Sequence, residues 1–368
     1  MESTPSLLDR IAAGPSKKIA ILGLSRVGSG KTTTLDHLIR GLQDRGIGVG
    51  IAAAGREEED AEFSLPPRQI RVQLRPGTIV ATTETALART TAKLETLEKI
   101  SVDSHHGPIL VVRVVEGGTG EVEPVGPGAA HELRLVVEAV ERRTRGRVLI
   151  EGSFNRRSFA APGISDGMIL AVGASLAPEV ERAVAGTRFY LDLFSLRAAI
   201  DEVAELFPVA EAEGAAVLLD GSRKVVGGFP WRSRGNASLL QIQKHPPFTH
   251  LVVPRSVGDD FVIPLLHEKM NFEIVVRDPM RIALSPVYYS AWQKLGGGIS
   301  VVHTTTVLAL SLNPTNPAGP DQDPEAFLTA FREGIPEVPA HDVVLESVPA
   351  HTKRRWFGLG GQVDPKVP

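Results

Sequence analysis

The passage from residue 18 to residue 46 restricts this chain more than any other. Lys18–Leu24 is a short, continuous apolar run, as a strand covered on both faces of a parallel sheet requires. A Gly- and Ser-rich turn follows. Thr32–Gly46 then places Leu35, Leu38, Ile39 and Leu42 on one helical face. Gly46 ends that helix, and Ile47–Ala53 reads as the next strand. Strand, tight glycine turn and helix in this order predict an α/β fold around a mainly parallel sheet with helices on both faces.

The turn reads Ser25-Arg26-Val27-Gly28-Ser29-Gly30-Lys31-Thr32, followed by Thr33. It departs from the phosphate-loop pattern at one place, Ser25, where a first glycine is usual. Gly28 and Gly30 let successive backbone N–H groups converge on phosphate oxygens, and the helix N-terminus adds partial positive charge. Lys31 can reach the β- and γ-phosphates, and the Thr32 hydroxyl can ligate Mg²⁺. Ser25 through Thr33 are therefore the candidate nucleotide-binding residues, for ATP or GTP with Mg²⁺. No Asn-Lys-x-Asp segment selects a guanine base. Stripped of chemistry, the same residues are a glycine turn that contains Lys-Thr. The strand before it and the helix after it favour phosphate.

Such a loop calls for an acid at the end of a neighbouring strand. Arg147–Glu151 is an apolar strand closing on Glu151-Gly152, which makes Glu151 the candidate metal-holding acid and, with Lys31, the candidate catalytic pair. Asp166, just before the apolar Met168–Val172, is a third metal candidate beside Thr32 and Glu151. A solvated strand-end carboxylate is the plainer reading of either acid.

Elsewhere in the first half, strands are expected at Ile109–Val115, Gly167–Val172 and Thr187–Leu191, and helices at Thr83–Leu97 and His131–Arg145. The acidic run Arg56–Glu62 reads as a solvated loop. Arg142, Arg143, Arg145 and Arg147 read as complements to a helix C-terminus. Asp103-Ser104-His105-His106-Gly107 is similar to the cobalamin-ligating Asp-x-His-x-x-Gly pattern, but its glycine comes one residue early, so a loop is expected.

From about Phe207 the pattern changes to short strands and tight turns. Ala215–Leu219 and Lys224–Val226 flank Asp220-Gly221-Ser222-Arg223, a hairpin in which Asp-Gly accepts positive φ. Strands follow at His250–Val253, Glu273–Val276 and Arg281–Leu284. A helix over Pro286–Leu295 stops at Gly296-Gly297-Gly298, before strands at Ser300–Val302 and Thr306–Leu312. The expected division is an N-terminal extension (1–17), a nucleotide-binding domain (18–206), a smaller α/β domain (207–347) and a loose tail (348–368).

The 368 residues carry 43 acidic and 40 basic side chains, a formal net charge of −3, which argues against nucleic acid as a main partner. Cysteine is absent, which removes disulfides, thiolate metal sites and cysteine nucleophiles together and fits a reducing compartment. The longest apolar runs fall far short of a membrane span, and Met1–Pro5 lacks the basic start of a signal peptide. The expectation is a cytoplasmic protein with no membrane partner.

Leu149-Ile150-Glu151-Gly152 and Ser165-Asp166-Gly167-Met168-Ile169-Leu170, together with the loop, resemble the branch of P-loop proteins that includes dethiobiotin synthetase. The glycine run that often follows the acid there is replaced by Ser153-Phe154-Asn155-Arg156-Arg157. The resemblance thus implies a fold and a nucleotide site, without the substrate residues of an amide-forming or ring-closing enzyme.

A longer order of motifs runs from the loop through Gly120–Pro127 and the Asp166 strand with Ala171-Val172-Gly173-Ala174. It ends at Asn313-Pro314-Thr315-Asn316-Pro317-Ala318-Gly319-Pro320. Taken alone, that last segment is a stiff connector. The order as a whole, from Lys18 to Asp342, resembles the small P-loop subunit of the lysine 5,6-aminomutase reactivase family. That resemblance implies a chaperone-like subunit with weak hydrolysis of its own. It would work with a MutS-like ATPase to exchange damaged cofactor on an adenosylcobalamin-dependent aminomutase. The competing expectations are an ATP-dependent ligase or kinase of the dethiobiotin synthetase type, and a non-catalytic nucleotide-binding interaction protein.

Overall fold

The computed structural model describes residues 5–25, 27–55, 72–102, 107–116, 120–152, 154–231 and 235–347. Arg26, the acidic run from residue 56, the Asp103–His106 pattern and the tail from residue 348 lie outside them.

The first part of the chain runs α1 (Leu7–Ala13), β1 (Lys18–Gly23), α2 (Lys31–Asp44), β2 (Gly48–Ala53), β3 (Val72–Leu74), β4 (Ile79–Thr83) and α3 (Glu84–Leu87). Then come β5 (Leu94–Ile100), β6 (Ile109–Val114), β7 (Gly120–Val122), α4 (Ala130–Arg143), β8 (Gly146–Gly152), β9 (Gly167–Gly173) and α5 (Val180–Phe194). A second series holds α6 (Asp201–Ala204), α7 (Phe207–Glu213), β10 (Ala215–Leu219), β11 (Val225–Pro230), α8 (Gly235–Ile242), β12 (His250–Val252), β13 (Val257–Gly258) and α9 (Asp259–His267). It continues through β14 (Glu273–Val276), β15 (Ile282–Ala283), α10 (Pro286–Lys294) and β16 (Gly298–Val301). The chain closes with β17 (Val307–Asn313), α11 (Pro324–Gly334), β18 (Ala340–His341) and α12 (Val343–Ser347).

The main sheet has nine strands in the order β18-β17-β9-β1-β8-β2-β4-β6-β5. All pairings from β18 to β4 are parallel; β6 and β5 add an antiparallel edge. Alternation of side chains explains the continuous apolar strands. Ala20 and Leu22 face one core with α4, α5 and α11, while Ile19 and Ile21 face another with α1 and α2. A second sheet, β11-β10-β12-β14-β16, gathers its own core around Phe261, Phe272 and Trp292. Its strands β12, β14 and β16 are parallel, and β10 and β11 form the antiparallel hairpin. The molecule is thus mixed α/β with one large, mostly parallel sheet.

The expected extent of the second domain, residues 207–347, needs correction at its C-terminal end. β17 does not join the second sheet; it pairs with β9, and β18 pairs with β17. The five-stranded unit is inserted between two neighbouring strands of the main sheet. An apolar run such as Val307–Leu312 carries the pattern of an interior strand but no label for which sheet it enters. The expected N-terminal extension also contains α1, whose Leu7 and Ile11 are buried in the main core and whose first turn closes a capping box between Ser6 and Asp9.

Three local expectations change as well. Thr83–Leu97 is one helical turn followed by the edge strand β5. Its Leu, Glu and Lys residues favour a helix, but pairing with β6 overrides that propensity. Thr187–Leu191 is helical within α5, where the Thr187 hydroxyl donates to Ala183 O at 2.8 Å. In the hairpin at 220–224, the residue with positive φ is Arg223 (64°), and the Asp220 carboxylate accepts from the Ser222 and Lys224 amides. The helix stop at Gly296 stands, with φ at 89°.

Three arginines of the cluster are held by residues distant in the sequence. Arg142 and Arg143 pair with Glu98, and Arg147 donates to the carbonyls of Ile11, Ala12 and Gly14, capping the C-terminus of α1. No helix among the described residues is long and apolar enough to cross a membrane.

Candidate functional site

β1 ends at Gly23 against the parts of the loop that follow it. A Cβ there would lie 2.4 Å from Ser29 Oγ and 2.7 Å from Lys31 Cδ, so only glycine lets the loop fold back on the strand. Leu24 N then donates to Ala171 O of β9, and the chain turns through Gly28 (φ 76°) and Gly30 (φ 86°) into α2. Ser25 is not in the left-handed region, so a side chain is tolerated where the pattern has its first glycine. Its hydroxyl lies 2.9 Å from Ser175 Oγ.

The N-terminus of α2 has Gly30 as its N-cap, with no side chain capping it and no acid in the first turn. Uncapped N-terminal amides favour an anion. Ser29 and Lys31 are buried, whereas Val27, Thr32 and Thr33 are exposed at the mouth of the loop.

Glu151 lies at the end of β8, which pairs directly with β1, and aligns with Ile21. Its Oε1 is 3.9 Å from Lys31 Nζ, and each of the two side chains is 7% exposed. The loop, the lysine and the acid therefore meet at one sheet edge. Thr32 follows Lys31 at that same edge.

Asp166 does not join them. It precedes β9 at the opposite end of the sheet, where its Oδ2 accepts from the Lys17 and Lys18 amides at 2.8 and 2.9 Å and its Oδ1 lies 3.6 Å from Lys18 Nζ. The six residues of β1 separate it from the loop by about 16 Å of strand. Its expected place among the metal ligands is therefore withdrawn: an acid before a strand lies at the amino edge, and the loop follows the carboxyl edge. Asp166→Asn should cost about 1 kcal/mol in a urea titration, through weaker bonds to the two amides, with any Mg²⁺ dependence of the loop unchanged. A changed Mg²⁺ dependence would contradict this placement.

The segment read as a connector turns out to touch the loop. Asn313, the last residue of β17, donates from Nδ2 to Gly28 O at 2.8 Å, and a Cβ on Gly28 would lie 2.6 Å from Pro317 Cδ. From β9, a Cβ on Gly173 would lie 2.0 Å from Gly28 O. Ser175 Oγ donates to Val27 O at 2.6 Å. Two residues earlier on β17, Ser311 Oγ lies 2.7 Å from Thr34 Oγ1 of α2. Ser175 carried no signal in the sequence. Asn313-Pro314 did, as a turn signal at a strand end.

Among the described residues, no group of three His, Asp or Glu side chains is placed to hold a metal ion. No protein-family model, no curated protein and no solved structure matches this chain.

Proposed function

We propose that the 25–33 loop binds a nucleoside triphosphate with Mg²⁺, and that the chain is the small P-loop subunit of a reactivase for an adenosylcobalamin-dependent aminomutase. The observation that carries the nucleotide reading is the pairing of two buried charges, Lys31 and Glu151, at the sheet edge where the glycine loop enters an uncapped helix. Left-handed Gly28 and Gly30 turn backbone amides toward a phosphate chain. Lys31 supplies a cation for the β- and γ-phosphates. Thr32 would hold Mg²⁺ through its hydroxyl and Glu151 through a bound water, phosphate oxygens completing a shell that protein side chains alone do not. Bound Mg²⁺ would neutralise phosphate charge.

The reactivase reading rests on the order of motifs and on the inserted five-stranded unit. Exchange of a damaged cofactor needs a target-binding surface whose fit depends on nucleotide state. A unit inserted between two strands that both contact the loop is suited to that task. The partners of this reading are a MutS-like ATPase subunit and the inactivated aminomutase.

The test is reconstitution. Inactivated aminomutase, the MutS-like ATPase, ATP and fresh adenosylcobalamin are expected to recover activity only when this chain is added. Lys31→Ala should not support recovery. Equal recovery without the chain would remove the reactivase reading and leave an ATP-dependent ligase or kinase ahead of it.

A further inference from the structure

Two consecutive carbonyls of the loop are held from outside it. Ser175 Oγ donates to Val27 O at 2.6 Å, and Asn313 Nδ2 donates to Gly28 O at 2.8 Å. The peptide unit is planar and trans, so each C=O points opposite to the N–H that follows it. Holding Val27 O therefore sets the direction of the Gly28 N–H, and holding Gly28 O sets that of the Ser29 N–H, both away from the clamping side chains. Glycine is the residue least able to keep one peptide orientation unaided.

The clamps are themselves fixed. Asn313 Oδ1 accepts from Thr315 Oγ1 at 2.8 Å and from Thr315 N at 3.3 Å, which leaves Nδ2 directed at the loop. Ser175 Oγ is also 2.9 Å from Ser25 Oγ, so the serine in the first-glycine position joins the same network. Asn313 aligns with Gly173 across β17 and β9, two residues before Ser175. The two clamps thus come from neighbouring strand ends.

We propose that Ser175 and Asn313 are positioning residues that aim the Gly28 and Ser29 amides at the phosphates of the bound nucleotide. The proposal rests on the phosphate reading of the loop, and adds to it two residues outside the loop.

The experiment is titration calorimetry with Mg-ATP and, separately, with inorganic tripolyphosphate, which carries no base. Asn313→Ala and Ser175→Ala should each weaken both ligands about tenfold, by the same factor for the two ligands. Ser175→Thr, which keeps the hydroxyl, should restore wild-type affinity. Asn313→Asp keeps the shape and removes the donor, so it should weaken tripolyphosphate at least as much even if the alanine variant folds poorly. A loss confined to ATP would make Asn313 a base contact and overturn the positioning role. Alanine variants that bind like the wild type, while Lys31→Ala does not bind, would overturn the proposal and leave the phosphate reading standing. A wild-type chain that binds neither ligand would overturn both.

Discussion

Replacing Lys31 with alanine is expected to weaken binding of the Mg²⁺–nucleoside triphosphate by about 2–3 kcal/mol, roughly 30- to 150-fold in Kd. The Lys31 stem is buried against Gly23, and its ammonium stands 3.9 Å from the Glu151 carboxylate. In a site so sheltered, one charge-assisted contact to phosphate counts for more than it would on an open surface. The substitution also removes a buried cation from beside an acid, so the comparison belongs at a temperature where the variant is fully folded. Calorimetry showing equal affinity in the two proteins would take the lysine out of the site and the phosphate loop with it.

Trp292→Ala should have the largest effect on stability, a loss of about 3–5 kcal/mol in a urea titration. Trp292 is fully buried in the core of the inserted unit, with its ring 5.3 Å from Phe272 in an edge-on arrangement and its Nε1 donating to Gly298 O. Gly297 fits only because it lacks a side chain: a Cβ there would lie 2.2 Å from the indole. The backbone pressed against the ring cannot collapse far into the space left by alanine, so a cavity would remain. Nucleotide affinity, measured where the variant is folded, should stay within about twofold of the wild type, because the loop is built on the other sheet. A large loss of affinity in folded Trp292→Ala would mean that the inserted unit shapes the site directly.

Helix α5 explains why the two units are nonetheless joined firmly. Its Leu191 and Phe194 enter the main core while Leu193 enters the core of the inserted unit. Arg157 reinforces the junction by donating to the carbonyls of Met280 and Ile282. The Arg157 contacts link residues more than a hundred positions apart, and nothing local in the sequence announces them.

What the sequence determined by itself is local. The strand–loop–helix from Lys18 to Gly46, the acid closing β8, the helices α2, α4 and α10 and the glycine stop at Gly296 follow from short-range chemistry. Periodicity, capping and backbone sterics act over a few residues, and each is written where it acts. Two failures mark the limit of that range. The helical composition of Leu94–Ile100 yielded to pairing with β6, and the strand-like Thr187–Leu191 was absorbed into a helix.

Only the tertiary structure decided the rest. It returned β17 to the main sheet, set Asp166 at the wrong edge for a metal and brought Ser175 and Asn313 onto two carbonyls of the loop. The physical reason is the same in each case. A strand's pattern specifies which faces it buries, but its neighbours are chosen by long-range packing and register. Register then fixes which strand ends meet, so the pairing of Asn313 with Gly173 of β9 sets it beside Gly28, a residue 285 positions away in the chain.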